Sequence, residues 1–113
     1  MSMPGGFTEQ DPNSQDVKDM VSRAMTQLNA QSNSLNYLIP IKIVSVQSQV
    51  VAGINYKINA TIGKSTCLKN QVSAADFDSA NCPETSENDR QNYTISVWQK
   101  PWENFEQFTF NQN

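Results

Sequence analysis

Histidine is missing from this chain of 113 residues. Its absence removes Ser-His and Cys-His nucleophile pairs, imidazole general bases and most zinc sites. Cysteine is scarce: Cys67 and Cys82 are the only two, and they lack the CxxC spacing of a redox dithiol. No apolar run approaches the roughly 20 residues a helix needs to cross a bilayer. Charge is thin, at 17% of residues against about 25% in ordinary globular domains. Eight basic and eleven acidic side chains leave a net charge of −3, with no Lys/Arg stripe to displace counterions from a phosphate backbone. Carboxylates are present, but nothing in their spacing gathers them around a pocket. Together these gaps exclude a conventional enzyme, a nucleic-acid binder and a helical membrane span, and they predict neither a metal nor a cofactor.

What fills the chain instead is neutral Asn, Gln and Ser, with a hydrophobic fraction of 37%. That suffices for one modest core, and so for one domain over residues 1–113. Cys67 and Cys82 flank a Ser/Asn/Asp-rich stretch that can bend back on itself. Joined, they would close a loop worth roughly 3 kcal/mol in the chain-entropy picture; two separate buried thiols are the alternative. The sequons Asn59-Ala60-Thr61 and Asn92-Tyr93-Thr94 agree with secretion and make Asn59 and Asn92 candidate glycan acceptors. Met1-Ser2-Met3-Pro4 has neither the basic region nor the apolar stretch of a signal peptide. The chain therefore reads as a mature secreted, extracellular form behind an added start methionine.

Residues 1–12 carry Pro4, Gly5, Gly6 and Pro12 and few apolar side chains, which predicts an extended, flexible arm. Val17, Met20, Val21, Ala24 and Leu28 then fall on one stripe at the 3.6-residue period of a helix. Asn13 with Asp16 three residues on resembles a capping box. The run of short polar side chains at 29–34 predicts fraying. From Ile41 the period becomes two. Residues 41–50 are rich in Ile and Val, and over 54–62 Ile54, Tyr56, Ile58, Ala60 and Ile62 alternate with polar residues. A polar excursion at 67–91 and strands near 92–99 and 105–110 complete an α+β pattern: one long helix on a twisted antiparallel meander of four to five strands.

The turns of this meander are unusual. Hairpin tips are normally polar, yet the first, Gln49-Val50-Val51-Ala52-Gly53, is apolar in its middle, and the second, Lys100-Pro101-Trp102-Glu103, carries an indole. Either Val50 and Val51 merely extend a strand and Trp102 folds inward, or the tips form a contact patch. Alternate turns of a meander lie at one end of the sheet, so both tips share an edge. A helix joined by a short link to the first long strand runs antiparallel to it, which brings the Gly5 arm to the same edge. Three converging segments predict a wedge that enters a cleft.

At these residues the chain resembles the cystatins, inhibitors of papain-like cysteine proteases. Pro4-Gly5-Gly6 is similar to the family's N-terminal glycine segment, Gln49-Val50-Val51-Ala52-Gly53 to its Gln-x-Val-x-Gly hairpin, and Pro101-Trp102 to its second hairpin. The resemblance runs from about Pro4 to Phe110. It implies a helix wrapped by an antiparallel sheet and a wedge that plugs the protease cleft reversibly. Residues before Gly5 would fill the non-primed subsites, and Trp102 would pack on the primed side. Gly5, lacking Cβ, would let the arm bend close to the enzyme. Cys67–Cys82 matches one of the two disulfides of vertebrate secreted members, whereas the intracellular stefins have none; the combination suggests a secreted invertebrate member similar to nematode cystatins. Ser32-Asn33-Ser34 sits where some secreted cystatins carry a loop that inhibits legumain, an ordinary polar helix end being the alternative. The β-branched Val51 in a tight turn predicts strain, and with it a domain-swapped dimer beside an active monomer. The competing functional reading is a secreted cystatin-fold interaction or immunomodulatory module that inhibits no protease.

Overall fold

The computed structural model describes residues 6–113, apart from the Asp78 side chain. Its elements are β1 (Thr8–Gln10), α1 (Gln15–Gln31), β2 (Asn36–Val51), β3 (Gly53–Leu68), α2 (Ala74–Ala80), β4 (Gln91–Lys100) and β5 (Phe105–Gln112). The five strands form one antiparallel sheet in the order β1-β2-β3-β4-β5. This is the expected α+β meander, with one long helix against its inner face.

The helical stripe is buried as its period requires: Val17, Met20, Val21, Ala24 and Leu28 all face the sheet, joined by Met25. The N-cap is Ser14 rather than Asn13, its hydroxyl accepting the Val17 N–H at 3.3 Å. Asn13 lies one residue earlier, where its N–H donates to Asp11 Oδ1 at 2.9 Å. The helix does not fray at Asn29 but runs to Gln31. Asn29 exchanges two hydrogen bonds with the Leu38 backbone, at 3.0 and 2.7 Å. A tertiary partner thus replaces the local backbone bonds that short amides otherwise favour.

Opposite the helix, Val46, Ile58, Ala60, Ile62, Ile95 and Val97 form the other half of the core. The alternation over 54–62 therefore separates an inner face from a polar outer face. Both long strands exceed their expected bounds, because the pairing continues from Val51↔Gly53 to Asn36↔Leu68. The register shifts at Asn36/Leu38, Pro40/Lys42 and Ile43/Ser45, the second of these beside Pro40, which has no N–H to donate.

Two further departures concern polar segments. Thr8–Gln10, expected in the free arm, is an edge strand: Thr8, Glu9 and Gln10 pair with Ser48, Gln47 and Val46. Backbone pairing with an otherwise open edge outweighs the weak apolar content of the segment. The 67–91 excursion contains α2, capped by Ser73 and closed by the left-handed Asn81. Phe77 of α2 stacks on Tyr37 at 4.3 Å between centroids, and the Tyr37 hydroxyl donates to the Val72 carbonyl at 2.6 Å. Cys67 and Cys82 are joined as a disulfide with Cα atoms 5.7 Å apart, which resolves the alternative left by the sequence.

Candidate functional site

β2 ends at Val51, Ala52 makes the bend, and β3 starts at Gly53 directly opposite Val51. Gly53 is buried at φ 102°, and a Cβ there would overlap the Gln99 carbonyl oxygen and come within 3.1 Å of Lys100 Cγ. Backbone conformation and space both demand glycine. Because Gly53 takes the positive φ, Val51 remains in β2; left-handed non-glycine residues among those described are Asn81 and Asn104. The strain expected at Val51 is therefore carried by a residue that bears it without steric cost.

The second tip is a single 3-10 turn, Pro101–Glu103, with Pro at its start and Asn104 at φ 51° closing it. The Asn104 N–H donates to the Pro101 carbonyl at 3.1 Å, and Lys100 pairs with Glu103 at 3.2 Å. Trp102 is 67% exposed and Val50 75% exposed, so neither tip folds inward. Gln49 is half-buried opposite Asn55, while Val51, Ala52 and Pro101 are exposed.

The first tip is fastened to the strand that leads into the second. Trp98, at the end of β4, donates its indole N–H to the Ala52 carbonyl at 2.8 Å. Its ring meets Phe105 edge-on at 5.5 Å, and the Lys100 ammonium lies over both rings at 4.6 and 4.7 Å. Behind the second tip, the Glu106 carboxylate accepts from Arg23 Nε and Nη2 of α1 at 2.8 and 2.9 Å and from Gln99 at 2.7 Å. The guanidinium bonds hold Glu106 below the usual carboxylate range, against a smaller opposing effect of burial. Trp98 and this clamp escaped the sequence reading. The one signal was an aromatic residue on the otherwise polar outer face of β4, at the position paired with Asn55.

Of the third segment, only Gly6 and Phe7 before β1 are described. With Thr8 opposite Ser48 and Gln10 opposite Val46, the N-terminal end of β1 is the one nearer Val51. Phe7 is 46% exposed there, beside no strand of its own. Gly5 and Met1–Pro4 lie outside the described residues.

Ser32, Asn33 and Ser34 join α1 to β2 at the other end of the sheet. The Ser32 hydroxyl accepts the Ser34 N–H at 3.1 Å, Ser34 donates to the Asn36 carbonyl at 2.9 Å, and Lys69 donates to the Asn29 and Ser32 carbonyls. Both serines are half-buried while Asn33 is exposed. The disulfide lies at this same end and joins Cys67, near the end of β3, to Cys82, just after α2. Of the sequon asparagines, Asn92 is exposed at the start of β4, whereas Asn59 is half-buried at mid-strand and bonded to Ser45 and Thr94.

Comparison with known proteins gives the family. The Cystatin domain matches residues 5–113. Cystatin cpi-1 of Caenorhabditis elegans is 40% identical over 104 residues, covering 91% of this chain and 73% of that protein. Onchocystatin of Onchocerca volvulus is 36% identical over 101 residues and 89% of this chain, which spans only 61% of it. The crystal structure of Al-CPI superposes with a TM-score of 0.84 at 35% identity, covering 96% of this chain and all of the other. The chain belongs to the cystatin family, is similar to its nematode members, and so falls among proteins that are generally inhibitors of cysteine proteases rather than enzymes.

Proposed function

We propose that this chain inhibits papain-like cysteine proteases, the cathepsins among them, reversibly and tightly by inserting the Gln49–Gly53 and Pro101–Trp102 tips, with the Gly5 arm, into the active-site cleft. One observation carries the reading: both apolar tips are exposed, and the Trp98–Ala52 hydrogen bond ties the first tip to the strand that leads into the second. A preformed edge loses little conformational freedom on docking, which favours tight binding. Trp102 would be the aromatic anchor on one side, and residues before Gly5 would bind on the other. The monomer is the inhibiting form, because a helix exchange through an opened first hairpin would abolish that tip; Gly53 in its left-handed conformation favours the closed hairpin.

Titration into papain tests the proposal. Stoichiometric, reversible loss of activity supports it; full activity at excess inhibitor rejects it in favour of a secreted interaction or immunomodulatory module. The disulfide and the exposed Asn92 sequon favour secretion into an oxidising compartment.

A second reading concerns legumain. Asn33 stands exposed between two serines braced by hydrogen bonds, a fixed presentation suited to an asparagine-specific protease. Asn33→Lys should abolish legumain inhibition and leave papain inhibition intact; loss of both would reject a separate site.

A further inference from the structure

The Asn-x-Thr triplets at 59–61 and 92–94 meet on the outer face of the sheet. Thr94 of the second is the register partner of Asn59 of the first, and its hydroxyl donates to Asn59 Oδ1 at 3.0 Å. The two acceptor nitrogens differ. Asn59 lies at mid-length in β3, the central strand, between Ser45 of β2 and Thr94 of β4. It is half-buried, and its Nδ2 donates to Ser45 Oγ at 2.9 Å. Asn92 is exposed at the start of β4, just after the 3-10 turn Glu87–Asp89. Its Oδ1 accepts from Thr61 at 3.3 Å and its backbone carbonyl from the Asn113 N–H at 2.8 Å. Its Nδ2 donates to no partner among the described residues.

The order in which contacts form separates them further. Ser45 and Asn59 are 14 residues apart, on the two arms of one hairpin that pairs up to Val51 and Gly53. Asn92 reaches Thr61 only across 31 residues, the long polar excursion included. Closing the shorter loop costs less entropy and comes first. In a nascent chain the first triplet is therefore folded away while the second is still open.

We propose that Asn92 carries an N-linked glycan and that Asn59 stays unmodified. The donor is an oligosaccharide joined through C1 of its terminal N-acetylglucosamine to a polyprenyl diphosphate. The bond from Asn92 Nδ2 to C1 forms, and the bond from C1 to the diphosphate oxygen breaks. The polyprenyl diphosphate leaves with that electron pair, and one Nδ2 proton is lost to the transferase. Thr94 completes the triplet that the transferase recognises. Modified Asn92 keeps its Oδ1 for Thr61, whereas modification of Asn59 would disturb its bond to Ser45 in a strand flanked on both sides. From Asn92 to Lys100 the strand runs about 26 Å at 3.3 Å per residue, so the glycan stands clear of both tips. The inference rests on the secreted reading, since the donor belongs to the secretory pathway.

Expression of the full chain in insect cells behind a supplied, cleavable signal peptide tests the proposal. Peptide N-glycosidase should convert Asn92, and not Asn59, to aspartate, as read by mass spectrometry of the peptides. Asn92→Gln and Thr94→Ala should each abolish the glycan, Thr94→Ser should retain it, and Asn59→Gln should leave it in place. Peptide mapping of the wild-type chain decides the matter even where a variant fails to fold. A secreted wild-type chain with Asn92 unmodified, or with a glycan on Asn59, overturns the proposal. Because the signal peptide is supplied, that result speaks against the site and leaves the secreted reading standing.

Discussion

Trp102 and Trp98 are neighbours in sequence with opposite parts. Trp102 projects from its turn with little packing beneath it, so Trp102→Ala should leave thermal stability nearly unchanged. Its effect should fall on the complex: surface plasmon resonance against papain should show dissociation faster by tenfold or more, with association little altered. An unchanged off-rate removes Trp102 from the anchor role. Trp98 acts inside the molecule, through its indole bond to Ala52 and its packing on Phe105. Trp98→Phe keeps an aromatic ring but loses that bond, at a cost of about 1 kcal/mol in denaturant unfolding. It should also weaken papain inhibition, because the first tip is no longer held against β4. Weaker inhibition from a residue behind the contact surface separates positioning from direct contact.

At the scale of elements, α1 and the second hairpin are joined by Arg23 and Glu106. The bidentate pair lowers the folded-state affinity of Glu106 for a proton, whereas in the unfolded chain the carboxylate has its ordinary affinity. A lowered folded pKa contributes stability that is full above the ordinary carboxylate range and lost as pH falls through the folded value. Glu84, bidentate with Arg90 at 2.8 Å, is shifted the same way and for the same first cause. Arg23 is half exposed, so solvent screens the first pair, and Arg23→Ala should cost no more than about 1 kcal/mol at neutral pH. Thermal melts of the two proteins should converge as the medium is acidified, and parallel melting curves across that window would refute the assignment. The disulfide belongs to this scale as well. Replacing Cys67 and Cys82 by Ser removes a cross-link over 15 residues of sequence and should cost roughly 3 kcal/mol. Papain inhibition should survive at low temperature, since that segment lies away from the tips.

For the whole molecule, length matters most. The body extends 52 Å along its long axis, and the two candidate protease-binding regions lie at opposite ends of the sheet. Papain and legumain should therefore bind together; a ternary complex on size-exclusion chromatography is expected, and mutual displacement would overturn the placement. The net charge of −3 is spread without a strong field, so papain affinity should change little with added salt.

Much of this was legible from residue order. The apolar stripe of α1, the alternation of β3 and the apolar hairpin tips depend on side-chain periodicity and turn chemistry, which act locally. So did the predicted convergence of the tips, because a meander leaves alternate turns at one end. Local reasoning failed where a distant partner decided the outcome. Asn29 stays helical because Leu38 lies beside it, and Thr8–Gln10 is a strand because β2 offers an edge. Val51 is relieved because Gly53 takes the left-handed turn against Gln99. The hydrogen bond from Trp98 to Ala52 and the ion pair from Arg23 to Glu106 span 46 and 83 residues of sequence. No periodicity reports such a contact. Residue order thus determined which segments are helix, strand and exposed tip, while only tertiary structure decided how the first tip is tied to β4 and the second hairpin to α1, since both ties depend on groups that meet only when the sheet closes over the helix.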